Sequence, residues 1–171
     1  MLHPPFFRFA FRSLRKKPQP RRLLERVMSL VVTEETTELV LPSRIESIAD
    51  AAAAAAEVVT RVGFGEEAAF GVDLAVREAV TNAVLHGNEQ DETKPVEVRF
   101  KSTARALEIT VRDRGEGFDP QSVPDPTDPQ NILKASGRGV LFIRTFMDEV
   151  EWSRHPEGGT VIRMTKRRKP F

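Results

Sequence analysis

At 171 residues, 40% of them hydrophobic, the chain is long enough to bury one proper core and too short for two comfortable ones. The absence of cysteine excludes disulfides, thiolate metal sites and cysteine nucleophiles, and three histidines, at 3, 86 and 155, make a histidine-built metal site an unpromising reading. The net charge of +1 hides an uneven distribution: residues 1–26 carry eight Arg or Lys against Glu25, a local charge of +7 that leaves −6 for the remainder.

That basic head also holds Phe6, Phe7, Phe9 and Phe11 among Pro4, Pro5, Pro18 and Pro20, a composition compatible with a membrane-surface arm or a nucleic-acid-binding arm. It lacks the continuous apolar stretch and small-residue cleavage site of a secretory signal. The reading adopted is a basic, disordered extension over 1–30 followed by a single folded domain over 31–171, with Met28 as an alternative start of translation. No direct nucleic-acid binding is expected. No apolar run approaches the roughly 20 residues of a bilayer span, so a soluble, cytoplasmic protein without a membrane span is expected.

Glu38–Leu41 reads as a short strand. Pro42-Ser43 then opens a helix through Ile45, Ile48, Ala49 and the alanine run 51–56 to about Val62, where alanine serves as a strong helix former. Gly63 and Gly65 break the pattern, and a second helix runs from Glu66 to His86, closing at Gly87 as a left-handed cap. Two alternating runs, Val96–Phe100 and Leu107–Val111, suit a hairpin. Phe118–Ser136, with Pro120, Pro124, Pro126 and Pro129, reads as a loop. A third helix is expected from Gly139 to Met147, then strands Val150–Arg154 and Thr160–Lys166 around a turn at Pro156–Gly159.

Three segments carry candidate chemistry. Glu78 and Asn82 stand four apart on the second helix, so a carboxylate and a carboxamide leave one face about a turn apart, where they can hold a base and a metal side by side. Asp113, Gly115 and Gly117 follow a strand, and Gly137, Arg138 and Gly139 precede an apolar helix whose free N–H groups can meet phosphate. Each has a bland alternative: an exposed helix pair, a strand turn, a plain helix start, and for His86-Gly87 a simple helix end. Their joint order is what points to a nucleotide pocket.

The combined wording, Glu78-Ala-Val-Thr-Asn82-Ala-Val-Leu-His86-Gly87, then Gly117-Phe118-Asp119-Pro120, then Gly137-Arg138-Gly139 leading to Ile143 and Met147-Asp148-Glu149-Val150, resembles the small bacterial anti-sigma-factor serine kinases. With Asp113-x-Gly115-x-Gly117 and Gly159-Thr160 it is also similar to the wider GHKL (Bergerat) ATP-binding fold of gyrase B, the ninety-kilodalton chaperones, histidine kinases and MutL. The resemblance spans about residues 36–167 and implies an α+β class, a two-layer α/β sandwich whose mixed, mostly antiparallel sheet is covered on one face by helices.

It further implies ATP and Mg²⁺ as cofactors. Asn82 would hold Mg²⁺, Glu78 would act as general base, and Asp113 would accept from the adenine amine with support from Thr160. Gly115 and Gly117 would pass close to base and ribose, and Gly137 and Gly139 close to the phosphates. Arg138 would reach a phosphate or face solvent; His86 would line the phosphate end or cap the helix; Gly87 would close it. The implied partners are a sigma factor and a sulfate-transporter-and-antagonist-type (STAS) protein whose serine is phosphorylated, in a partner-switching circuit, with homodimerisation. The alternative is a non-catalytic, ATP-sensing module that sequesters a regulator. The only histidine ahead of the domain, His3, lies in the basic head, which argues against a histidine kinase.

Overall fold

The computed structural model describes residues 34–116 and 138–168, with the side chain of Arg138 outside that set. The basic head, the Phe118–Ser136 loop, Gly117 and Gly137 therefore lie outside the described residues. The elements run β1 (Glu35–Leu41), α1 (Glu46–Val62), α2 (Glu66–Asn82), a single π-helical turn (Ala83–Gly87), β2 (Val96–Ser102), β3 (Ala106–Arg112), α3 (Arg138–Phe146), β4 (Glu149–Arg154) and β5 (Thr160–Arg167). The five strands form one sheet in the order β1-β2-β3-β5-β4. Among the described residues every pairing is antiparallel, in keeping with the mostly antiparallel sheet expected.

Strand alternation decides which face is covered. Val96, Val98 and Phe100 on β2, Leu107, Ile109 and Val111 on β3, and Ile162 and Met164 on β5 point to one side and are buried. They meet Ala51, Ala55 and Val58 of α1, Val72, Val76 and Val80 of α2, and Ile143 of α3 in one core. The alanine run thus lets α1 lie close to the sheet. The opposite face is polar and laced with ion pairs such as Arg99–Glu38 and Arg112–Glu97. Phe100 faces Ile109 across the strands and is among the largest fully buried side chains. Phe100→Ala is accordingly expected to cost about 3–5 kcal/mol of stability, read as a lower denaturant midpoint at unchanged slope.

The first helix opens at Glu46, after Pro42-Ser43, and two further boundaries differ from the sequence expectation. β1 begins three residues earlier because Glu35, Thr36 and Thr37 pair with Ser102, Lys101 and Phe100 of β2, a tertiary contact that polar residues do not advertise. The second helix does not run regularly to His86: it widens into the π turn, in which Asn88 N–H donates to the Ala83 carbonyl at 2.8 Å. Gly87 is not a left-handed cap either. The left-handed residues come later, at Glu89 (φ 54°) and Gln90 (φ 60°), and Gln90 N–H closes the exit onto the Val84 carbonyl at 2.8 Å. Among the described residues, no helix is long and apolar enough to cross a membrane.

Candidate functional site

A cleft opens between α2, the π turn, the C-terminal end of β3 and the start of β5. It brings together Asn82, His86, Gly87, Asp113 and Thr160, residues separated by up to 78 positions in sequence. Its apolar lining comes from Ala79, Ala83, Val111 and Ile162. Val140 of α3 and Trp152 of β4 complete the wall. Neither was singled out from sequence, because an apolar residue in a helix or strand pattern carries no sign of which cavity it borders. The Arg144 guanidinium stacks over Trp152, 5.2 Å from its ring centroid.

Asp113 is the most constrained polar group in the cleft. Its side chain is buried, and its Oδ1 accepts the N–H groups of Gly115 and Thr160, both at 3.0 Å. Its own N–H donates to the Thr160 carbonyl at 3.1 Å. Thr160 thus meets Asp113 through its backbone, as a continuation of the β3–β5 ladder. The carboxylate orientation is fixed before any ligand arrives.

The glycines prove to be packing requirements within the protein. A Cβ on Gly115 would collide with the Gly87 carbonyl, and a Cβ on Gly87 with the Asp113 carboxylate. Gly115 thus meets the π turn directly. Gly159, at φ +88°, brings β5 so close to the Asp113 carbonyl that a Cβ would strike it, besides straining the backbone. Gly139 lets the Glu78 carboxylate approach the first turn of α3; a Cβ there would collide with Glu78 Oε2. Gly115→Ala, which would drive a side chain into backbone, is expected to cost about 3 kcal/mol or more or to prevent folding, as read by thermal denaturation.

Glu78 does not line the cleft itself; it lies one turn before Asn82, beside the start of α3. Among the described residues, neither the Glu78 carboxylate nor the Asn82 amide engages in a hydrogen bond or ion pair, although both are half-buried. His86 is exposed at the rim. Six positions after Asn82, Asn88 is the opposite case: fully buried and bonded on both ends of its amide. Sequence reasoning missed Asn88, since Ser43 and Arg114, which bond the two ends of its amide, are remote in the chain. On the outer face, Arg114 bonds Glu97, and that bond, with the nearby guanidinium charges, holds the Glu97 carboxyl below the usual carboxylate range.

Comparison with known proteins fits this geometry. The histidine kinase-like ATPase domain family matches residues 41–166, so the fold and cleft are those of an ATPase domain of the GHKL class. RsbW serine-protein kinases align over most of their own length: that of Oceanobacillus iheyensis is 30% identical over 75% of this chain and 84% of its own. Those of Bacillus subtilis (31%, over 75% and 83%) and Listeria monocytogenes (30%, over 75% and 84%) are similar. A crystal structure of the RsbU and RsbW domains of Rv1364c from Mycobacterium tuberculosis superposes with a TM-score of 0.58 at 19% identity, over 80% of this chain and 33% of that one. The chain thus spans about a third of that protein, and the likeness concerns the fold. The chain belongs to the histidine kinase-like ATPase family, in its branch of RsbW-type serine-protein kinases.

Proposed function

We propose that the protein is a Mg²⁺- and ATP-dependent anti-sigma-factor kinase that phosphorylates a serine of a STAS-type antagonist. It would hold a sigma factor and exchange it for the antagonist, acting in the cytoplasm as a homodimer. Residues 31–171 would form its single catalytic domain, with the basic head of 1–30 as an extension. The observation that carries this reading is the pair of polar side chains, Glu78 and Asn82, unpartnered among the described residues, on one helix beside a cleft that holds a pre-bonded Asp113.

The residues present fit ATP and its metal ion. The apolar lining suits adenine, and the Asp113 carboxylate accepts from the exocyclic amine, whereas guanine offers a carbonyl at that place. Among the described residues no three His, Cys, Asp or Glu side chains converge to cage a metal. A single hard oxygen from Asn82 therefore suits Mg²⁺, which takes its other ligands from phosphate and water. When bound, Mg²⁺-ATP supplies the phosphoryl group and neutralises developing charge. Glu78 would take the proton of the attacking serine hydroxyl. Gly139 would offer backbone N–H to phosphate at the start of α3, with Gly137, Arg138 and His86 at the same end and Gly117 beside the base.

The test is transfer of labelled γ-phosphate from Mg²⁺-ATP to a purified STAS-domain protein encoded beside this one. Label on a serine with the native chain, and none with Glu78→Gln, is the expected result. ATP binding without label on any such protein would instead favour the non-catalytic, nucleotide-sensing module.

A further inference from the structure

We propose that Asn88 is a positioning residue for adenine recognition, acting through the backbone of Arg114 to set the Asp113 carboxylate against the opposite wall of the cleft. This inference rests on the cleft being the ATP site.

The side chain of Asn88 is fully buried, and its hydrogen bonds reach three segments. Nδ2 donates to Ser43 Oγ at 2.7 Å, just ahead of α1, and to the carbonyls of Lys94 and Pro95 at 2.9 and 3.2 Å, just before β2. Ser43 Oγ in turn donates to the Lys94 carbonyl at 2.6 Å. Oδ1 accepts the N–H of Arg114 at 2.7 Å, the residue between Asp113 and Gly115. The amide therefore joins the end of the π turn to the segment that carries the adenine-reading carboxylate.

Two further contacts give this bond its leverage. The Gly87 carbonyl and Cα, one residue before Asn88, lie directly against Gly115 and Asp113. Beyond the peptide, the Arg114 side chain is tied to Glu97 on the outer face of the sheet, with Nε donating at 3.1 Å. Arg114 is thus gripped from both sides, by Asn88 through its backbone and by Glu97 through its guanidinium. Asp113 can hold one orientation only while the 113–115 segment stays seated on the π turn. That same turn continues the helix bearing Asn82, so the Asn88 bond sets the width of the cleft from its metal side to its base side. A structural asparagine with no bearing on the site would not need to bond the residue next to Asp113.

The test compares ATP and GTP affinity, read from the fluorescence of Trp152, the single tryptophan of the chain, in native protein, Asn88→Ala and Asn88→Asp. Phe100→Leu, a core change away from the cleft, serves as a destabilised control. Asn88→Ala is expected to weaken ATP binding roughly tenfold or more and to lower the ATP-to-GTP preference, because small displacements of a reading group cost disproportionately. Phe100→Leu should lose stability while keeping both affinity and preference. Should Asn88→Ala fail to fold, Asn88→Asp decides. It keeps the size and the Arg114 acceptor but sets a carboxylate oxygen against the Lys94 and Pro95 carbonyls, and is expected to bind ATP several-fold more weakly. Native-like affinity and preference in the folded Asn88 variants would overturn the inference while leaving the ATP site intact. Absence of ATP binding in the native chain would instead overturn the function on which it rests.

Discussion

Asp113→Asn is expected to bind ATP on the order of 100-fold more weakly than the native chain while remaining folded, because about 2–3 kcal/mol of charged hydrogen bonding is lost at the base. The asymmetry of the side chain explains why the two effects separate. Both backbone donors, from Gly115 and Thr160, converge on Oδ1. A single amide oxygen can keep both, so the carboxamide of asparagine settles with its oxygen inward. Its NH₂ then occupies the second position and meets the exocyclic amine of adenine donor to donor. A titration followed by Trp152 fluorescence, with a thermal melt beside it, reads both quantities. Near-native affinity would remove Asp113 from the recognition of the base.

Glu78→Gln is expected to lower phosphoryl transfer by roughly 10²–10⁴-fold with little change in the affinity for ATP. Glutamine matches the volume of glutamate, so the close approach to Gly139 is kept, and no ion pair or hydrogen bond is broken because Glu78 makes none among the described residues. What changes is the ability to accept a proton. Single-turnover transfer to the antagonist at saturating ATP measures that ability directly. A variant that turns over at the native rate would leave Glu78 as a packing residue at the start of α3.

The parts of the site that could be read from sequence are those fixed by local geometry. Glu78 and Asn82 share a face because the helix repeats every 3.6 residues, and Asp113 follows the end of an alternating run, where a strand side chain reaches the sheet margin. What escaped was decided by contacts remote in sequence. The extra residue of the π turn changes no hydrophobic period that could be counted over five residues. Gly87 looks like a helix cap, yet its missing Cβ makes room for Asp113, 26 positions later. Asn88 resembles any polar residue after a helix until Ser43, Lys94 and Arg114 are brought around it. Trp152 and Val140 read as ordinary core residues, and only the assembled fold turns them towards the cleft.

The Thr160 N–H that fixes Asp113 belongs to β5, and β5 sits between β3 and β4 in the sheet although it follows both in the chain. A polypeptide leaving the ribosome N-terminus first therefore completes α2 and β3 long before the strand that finishes the cleft. Until β5 inserts, Asp113 lacks one of its two backbone donors, and the gap between β3 and β4 stays open. A nucleotide that binds in this cleft would therefore find it complete only after synthesis has passed β5, and would then favour the finished sheet over any shorter intermediate by mass action.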